Sequence, residues 1–283
     1  MKITAVQTGP YTGSKNEQIR MLLEQGRKAI SQETDLLIFP ELISTPYIAL
    51  EKDKKWLDLA EKIPSATTQA LNQLAKEGGC HVTGSIFQEL DGKYFNTAVL
   101  AKPNGGLGES YSKTHIPNIC HGKTRGMESF YFSPGDRFVL WNIKEATIGI
   151  LICYDRSFPE SWRELRLRGA DIVVVLASSS GLRSKMFIQE LQVRALENGV
   201  WVVAVNKGGN ENYIDNENPA DFYGSSCVIS PDGEVMILLD RAPNQTFNYE
   251  IDLGGLEASR AKLDYFTARR PDLYKNINKI LNS

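Results

Sequence analysis

Three stretches of the chain are apolar almost without interruption: residues 35–39 (DLLIF), 171–177 (DIVVVLA) and 200–206 (VWVVAVN). Runs this short and this apolar suit strands covered on both faces. Residues 2–8 alternate instead, the pattern of a strand with one covered face. Between these runs the period changes. After Ser14 and Glu17, which stand at capping-box spacing, Ile19, Leu22, Leu23, Ala29 and Ile30 recur as one helical stripe. Residues 65–79 carry a second stripe, Ala66, Ala70, Leu71, Leu74 and Ala75, ahead of a Gly78-Gly79 stop. Further strands are expected at 81–88, 97–101, 107–112, 138–143, 146–152, 222–230, 234–239 and 247–252, and helices at 185–198 and 256–263. Pro103-Asn-Gly-Gly106 and Pro231-Asp-Gly233 read as turns, residues 116–137 as an irregular segment, and 210–219 as a polar loop. Strands alternating with capped helices predict an α/β chain folded as one domain over residues 1–283, with a tail from about 264.

The stretch from 146 to 169 concentrates the chemistry. A short apolar strand stops at Cys153, and Ser157 and Glu160 then stand at capping-box spacing around Pro159. This places Cys153 just before a predicted helix N-terminus, where free N–H groups and the helix dipole favour an anion, so that a thiolate forms more readily there than in water. On this stretch alone, a buried small hydrophobe is an equally good reading.

Composition narrows the field. The chain has 283 residues and a formal charge of −2, which gives no reason to expect nucleic acid or a membrane surface as partner. No signal-peptide pattern or 18-residue apolar stretch is present, and the protein is read as cytoplasmic. The cysteines Cys80, Cys120, Cys153 and Cys227 are far apart, so neither a zinc ribbon nor a redox C-x-x-C pair is expected. His81, His115 and His121 show no metal-ligand spacing, and no metal or cofactor is expected.

Two further residues share the address of Cys153. Glu41 follows the run 35–39, and Lys113 follows the strand expected at 107–112. Ligands of α/β sheets bind beyond the carboxyl ends of the strands, so these three side chains converge if their strands are neighbours. Taken singly, the glutamate and the lysine read as solvated surface charges. Together they support acyl transfer through a thioester: a thiolate attacks a carbonyl carbon, a buried glutamate with a raised pKa takes and returns protons, and an ammonium stabilises the oxyanion.

In Phe39-Pro-Glu41, Tyr111-Ser-Lys113-Thr-His115 and Cys153-Tyr-Asp-Arg-Ser-Phe-Pro-Glu160 the chain resembles the nitrilase superfamily of carbon–nitrogen hydrolases over nearly its whole length. Glu128 ahead of Tyr131-Phe-Ser-Pro-Gly135, Arg194-Ala-Leu-Glu-Asn198 and Phe222-Tyr-Gly-Ser-Ser226 add to the resemblance. It implies a four-layer αββα sandwich with two mixed β-sheets, a dimer-based homo-oligomer, and a Glu–Lys–Cys triad without metal. The roles carried over are Glu41 as base, Lys113 as oxyanion stabiliser and Cys153 as nucleophile. Glu128 would position substrate, and the Tyr154 backbone N–H would complete the oxyanion site.

Within the superfamily, Cys153-Tyr-Asp-Arg156 with Pro159-Glu-Ser-Trp-Arg163, His115, and Arg269-Arg-Pro-Asp-Leu-Tyr274 are similar to the N-carbamoyl amino acid amidohydrolases. One departure is Gly126, where those enzymes tend to carry a histidine. Arg156 could hold a substrate carboxylate bidentately, or pair structurally with Asp155, Glu160 or Glu164. Lys123 and Arg125 could meet an acidic substrate or face solvent, and Trp162 and Trp201 are expected in the core. The expected partner is a small-molecule amide or ureido compound, an N-carbamoyl amino acid first, with an aliphatic or ω-amidase, an N-carbamoylputrescine or nitrile substrate, and a non-catalytic ligand-binding protein as alternatives.

Overall fold

The computed structural model describes residues 1–31, 33–121 and 124–279. The first part of the chain builds one sheet from β1 (Lys2–Gln7), β2 (Leu36–Ile38), β3 (His81–Leu90), β4 (Lys93–Ala101) and β5 (Tyr111–Ser112), with α1 (Lys15–Ala29) and α2 (Ala66–Gly78) on its outer face. The hairpin of β6 (Asn118–His121) and β7 (Thr124–Met127) follows. A second sheet uses β8 (Leu140–Ile143), β9 (Ala146–Ile152), β10 (Ile172–Leu176) and β11 (Trp201–Val205), with α3 (Pro159–Leu167) and α4 (Phe187–Asn198) on its outer face. A ribbon of β12 (Gly208–Glu211) and β13 (Ala220–Tyr223) precedes β14 (Cys227–Ile229) and β15 (Val235–Leu238), which complete that sheet. Then β16 (Gln245–Glu250) returns to the first sheet beside β1, and α5 (Leu256–Lys262) follows.

The strand orders are β16-β1-β2-β3-β4-β5 and β15-β14-β11-β10-β9-β8, both mixed. The inner faces meet in one apolar layer that includes Ile3, Leu36, Ile38, Ala98 and Tyr111 from one sheet and Ile148, Ile150, Val174, Val203 and Val228 from the other. Each fully buried aliphatic side chain there stabilises the packing by roughly 1.5–3 kcal/mol. Because helices cover the outer faces, the central strands are apolar on both sides, which is the αββα sandwich and the cause of the uninterrupted runs. Strands β1, β2 and β3 run parallel, as do β9, β10 and β11, so each set delivers its carboxyl ends to one edge. Among the described residues, no helix is long and apolar enough to cross a membrane.

Local chemistry accounts for most boundaries. Ser14 accepts from the Glu17 N–H while the Glu17 carboxylate reaches back, as the spacing predicts, and α2 ends on Gly79 in the left-handed conformation at φ 62°. Four expectations are corrected. Residues 116–137 are not irregular throughout: they hold the β6–β7 hairpin, whose short strands NICH and TRGM mix apolar and polar residues without alternation and which lies against residues 48–50. The strand expected at 107–112 shrinks to Tyr111–Ser112, with one bridge from Ala101 to Leu107. The strand expected at 222–230 is broken where Gly224 and Ser225 turn to φ 61° and 60°. Finally, Ser157 does not cap α3. The helix begins at Pro159 behind Phe158, which makes no side-chain cap, and the Ser157 hydroxyl accepts instead from Arg183.

One close approach ties this frame to Lys113. The Gly135 N–H donates to the Lys113 carbonyl at 2.8 Å. A Cβ at Gly135 would stand 2.2 Å from the Ser112 carbonyl oxygen, a backbone atom that cannot swing aside. Gly135→Ala is therefore expected to lower stability by roughly 1–3 kcal/mol, through displaced backbone at Ser112 and Lys113. Chemical denaturation of the two proteins checks this, and unchanged stability would contradict the contact.

Candidate active site

The strand edge gathers side chains that were dispersed in the sequence. Glu41 stands just beyond β2, Lys113 just beyond β5, and Cys153 just beyond β9. Glu41, Lys113 and Glu128 are all fully buried. The Lys113 Nζ donates to Glu41 Oε1 at 2.9 Å and to Glu128 Oε2 at 2.7 Å. Every carboxylate oxygen of the trio has a further partner or shares the ammonium. Asn96 Nδ2 donates to Glu41 Oε1 at 2.7 Å, the Ser178 N–H to Glu41 Oε2 at 2.7 Å, and the Tyr47 hydroxyl to Glu128 Oε1 at 3.3 Å. Such satisfaction is what allows charges to remain in a dry interior.

The electrostatics follow from two carboxylates around one ammonium. Burial alone would lower the Lys113 pKa, but Glu128 and Glu41 outweigh it and hold the lysine above its ordinary range, so it stays charged. One negative charge is in excess. Burial pushes the Glu128 carboxyl up to about 7, against the pull of Lys113 and with the push of Glu41.

Cys153 opens a short 3-10 turn, residues Cys153–Ser157, with φ at 46°. That left-handed conformation is costly for a residue with a Cβ, roughly 1–3 kcal/mol, and is a mark of functional turns. The expectation of an easily formed thiolate is corrected: α3 starts six residues later, and burial, reinforced by Glu41, raises the Cys153 thiol above its ordinary value. The thiol hydrogen-bonds Ser179, with Sγ and Oγ 3.2 Å apart. Ser179 is itself held by Asn206, whose Oδ1 accepts from the Ser179 N–H at 2.7 Å. A cavity of about 240 Å³ opens over Cys153, lined by Tyr47, Glu128, Tyr154, Arg156, Ser178–Ser180 and Arg183, with Ile119, Arg125 and Gly126 of the β6–β7 hairpin at its mouth. Glu41 and Lys113 lie behind this lining.

The family model described as "Carbon-nitrogen hydrolase" matches residues 2–261. The chain belongs to the carbon-nitrogen hydrolase family. An omega-amidase from Bos taurus is 32% identical over 267 residues, covering 92% of this chain and 92% of that relative. An N-carbamoylputrescine amidase from Arabidopsis thaliana is 30% identical over 260 residues, covering 88% and 86%. The solved carbon-nitrogen hydrolase from Helicobacter pylori G27 superposes with a TM-score of 0.89 at 26% identity, over 99% of this chain and 98% of that one. This carbon-nitrogen hydrolase thus acts on non-peptide C–N bonds.

Other residues singled out from sequence sit in this hydrolase as follows. Arg156 is buried, and none of Asp155, Glu160 or Glu164 is its partner: its Nη1 donates to the Cys153 carbonyl at 2.7 Å, its Nη2 to the Tyr223 hydroxyl at 3.4 Å, and its Nε faces Glu190 at 3.4 Å. Trp162 is fully buried and donates to the Arg156 carbonyl, so the tryptophan read as core also fixes this arginine. Trp201 is buried between the sheets. His115 turns toward Asp155, with Nδ1 2.8 Å from Oδ1, and stacks on Phe158. Tyr154 lines the cavity and packs edge-on to Phe158. Arg125 pairs with Asp215 at 3.1 Å, while Lys123 lies outside the described residues. Where Gly126 replaces the histidine of the carbamoylase pattern, a Cβ would meet the Tyr47 hydroxyl at 3.4 Å, so the tyrosine occupies that space.

Several contributors were not foreseen. Asp155 accepts from the Tyr111 and Thr114 hydroxyls and from the Ile152 and His115 N–H groups, all within 3.0 Å, and so joins the segment of Lys113 to the turn of Cys153. Lys207 is buried with its Nζ on the Leu42 and Thr45 carbonyls, and Glu211 accepts from the Tyr11 and Tyr47 N–H groups; together they hold the segment after Glu41. Their signal in the sequence was a polar residue at the end of an apolar run, visible at Asp155 and Lys207 but without a named partner.

The Glu128 proton has a measurable consequence. Its carboxyl has an ordinary value of 4.5 and titrates at about 7 when folded. Between those values the folded state holds more proton than the unfolded state, so this group's contribution to stability falls as pH rises. Glu128→Gln lacks that proton, so its stability relative to wild type should rise between about pH 5 and pH 7. Denaturant titrations at both pH values test this, and a constant or shrinking difference would contradict it.

Proposed function

We propose that this hydrolase cleaves the C–N bond of a terminal CONH₂ group on a small carboxylate-bearing molecule, an N-carbamoyl amino acid foremost. The observation that carries the chemistry is the Lys113 ammonium held between two buried carboxylates behind a cavity that ends on the Cys153 thiol. The thiol is not pre-ionised, so a base must take its proton as sulfur attacks the carbonyl carbon. Glu41 serves as that base. Two of the three Lys113 N–H bonds go to carboxylates, and the third, with the Tyr154 N–H, faces the oxyanion. When the tetrahedral intermediate collapses, the C–N bond breaks, the proton from Glu41 leaves on ammonia, and an acyl thioester remains. Water then attacks the thioester while Glu41 accepts its proton, and the sulfur leaves and is reprotonated. From an N-carbamoyl amino acid the released N-carboxy product loses CO₂ to give the amino acid. The non-catalytic reading loses ground, because both carboxylates, the ammonium and the thiol are present together.

Two features support a carboxylate on the substrate. The cavity is lined by Arg125, Arg156 and Arg183, and the omega-amidase relative keeps a second reading open, in which the same CONH₂ group ends a longer acid. A diamine tail, as in N-carbamoylputrescine, fits an arginine-lined wall poorly.

Ammonia release from N-carbamoyl amino acids, ω-amides and simple aliphatic amides tests the proposal. Turnover is expected on the carboxylate-bearing members, and no turnover on any of them would overturn the proposed substrate class. Cys153→Ala should lose about 1,000-fold or more in kcat, and Glu41→Gln about 100- to 10,000-fold. Retained activity in Cys153→Ala would overturn the nucleophile.

A further inference from the structure

Two guanidinium groups on the cavity wall share one carboxylate. The Glu190 side chain is 8% exposed, and its Oε1 accepts from Arg183 Nη2 at 2.7 Å while Oε2 faces Arg156 Nε at 3.4 Å. Among the described residues, Arg125 pairs with Asp215, and the Lys113 ammonium is outnumbered by Glu41 and Glu128. Among the described residues the charge along the cavity is therefore uneven: two carboxylates share one ammonium behind the thiol, and two guanidinium groups share one carboxylate on the wall of Arg156, Glu190 and Arg183.

The two arginines are not equivalent. Arg156 is buried: its Nη1 donates to the Cys153 carbonyl and lies 3.6 Å from the Cys153 sulfur, its Nη2 donates to the Tyr223 hydroxyl, and its Nε stands 3.4 Å from Glu190 as an ion pair, with Phe187 against its guanidinium face. It fixes the turn that presents the thiol. The Arg183 side chain is 43% exposed, donates to Ser157 and Glu190 among the described residues, and lines the cavity. It follows Ser179, the residue that touches the Cys153 sulfur, and its loop is tied down by the bridge between Ser180 and Phe222. We infer that Arg183 is the carboxylate anchor of this enzyme and that Arg156 is a positioning residue for the nucleophile. This rests on the proposed carboxylate-bearing substrate. With Nη1 on Ser157 and Nη2 on Glu190 the guanidinium is held in place, and its remaining N–H groups are available to a carboxylate.

The test compares an N-carbamoyl amino acid with its carboxamide, which keeps the ureido group and loses the charge. Arg183→Gln should lower kcat/KM for the acid by about 100-fold and for the carboxamide by less than about threefold. Arg183→Lys keeps the charge without the fork and should recover part of the loss on the acid, which guards against a variant that merely folds badly. Equal losses on both substrates in both variants, or an undiminished acid reaction in Arg183→Gln, would overturn the anchor while leaving the proposed reaction standing. If wild type hydrolyses neither compound nor any ω-amide acid, the proposed substrate class itself falls, and the anchor with it.

Discussion

The structure depends on keeping one ammonium and two carboxylates out of water. An ion transferred alone to such an interior costs several kcal/mol, and mutual attraction offsets this only when the remaining lone pairs are also satisfied. Much of the surrounding sequence does that work. Asn96 is a polar residue in the covered part of β4 because Glu41 needs its amide, and Ser85 is placed to orient Asn96, with Oγ and Oδ1 2.8 Å apart. Ser178 gives both its N–H and its hydroxyl to Glu41. Remove the charges and these buried polar groups would have no reason to be there.

The second constraint is distance between sheets. Lys113 and Glu41 ride on the first sheet and Cys153 on the second, so their alignment relies on how the sheets register. Apolar packing fills the gap but is non-directional. Asp155 supplies direction, because four hydrogen bonds from residues of both sheets converge on its two oxygens. The Tyr111 hydroxyl, on the strand before Lys113, reaches Asp155 at 2.7 Å, two residues past Cys153. Arg156 and Trp162 brace the same turn from the other side.

Much of this was legible in the chain. Residues 171–177 and 200–206 announced β10 and β11 because burial on both faces leaves no polar position, and Glu41, Lys113 and Cys153 were legible as residues at strand ends. What escaped has physical causes. The β6–β7 hairpin is held by its neighbours and its own ladder, so its polar residues show no period. Ser157 had the spacing of a cap, yet Arg183, 26 residues on, competes for its hydroxyl. Arg156 looked equally suited to substrate or to a nearby carboxylate, and its actual partner, Glu190, lies a helix away. Long-range pairing of charges leaves no local trace, which is why the side chains facing the cavity were harder to read than the strands beneath them.

The return of β16 to the edge of the first sheet, beside β1, has a consequence for how the protein can be divided. No single cut leaves one piece with both sheets complete, because the first sheet takes its last strand from beyond the second. An N-terminal fragment ending after Glu128 would carry Glu41 and Lys113, but would lack β16, which covers β1, and Cys153. The remainder would carry the thiol and an orphaned edge strand. Dividing the chain between the sheets therefore separates Cys153 from Glu41 and Lys113, and the cluster exists only where the two sheets meet.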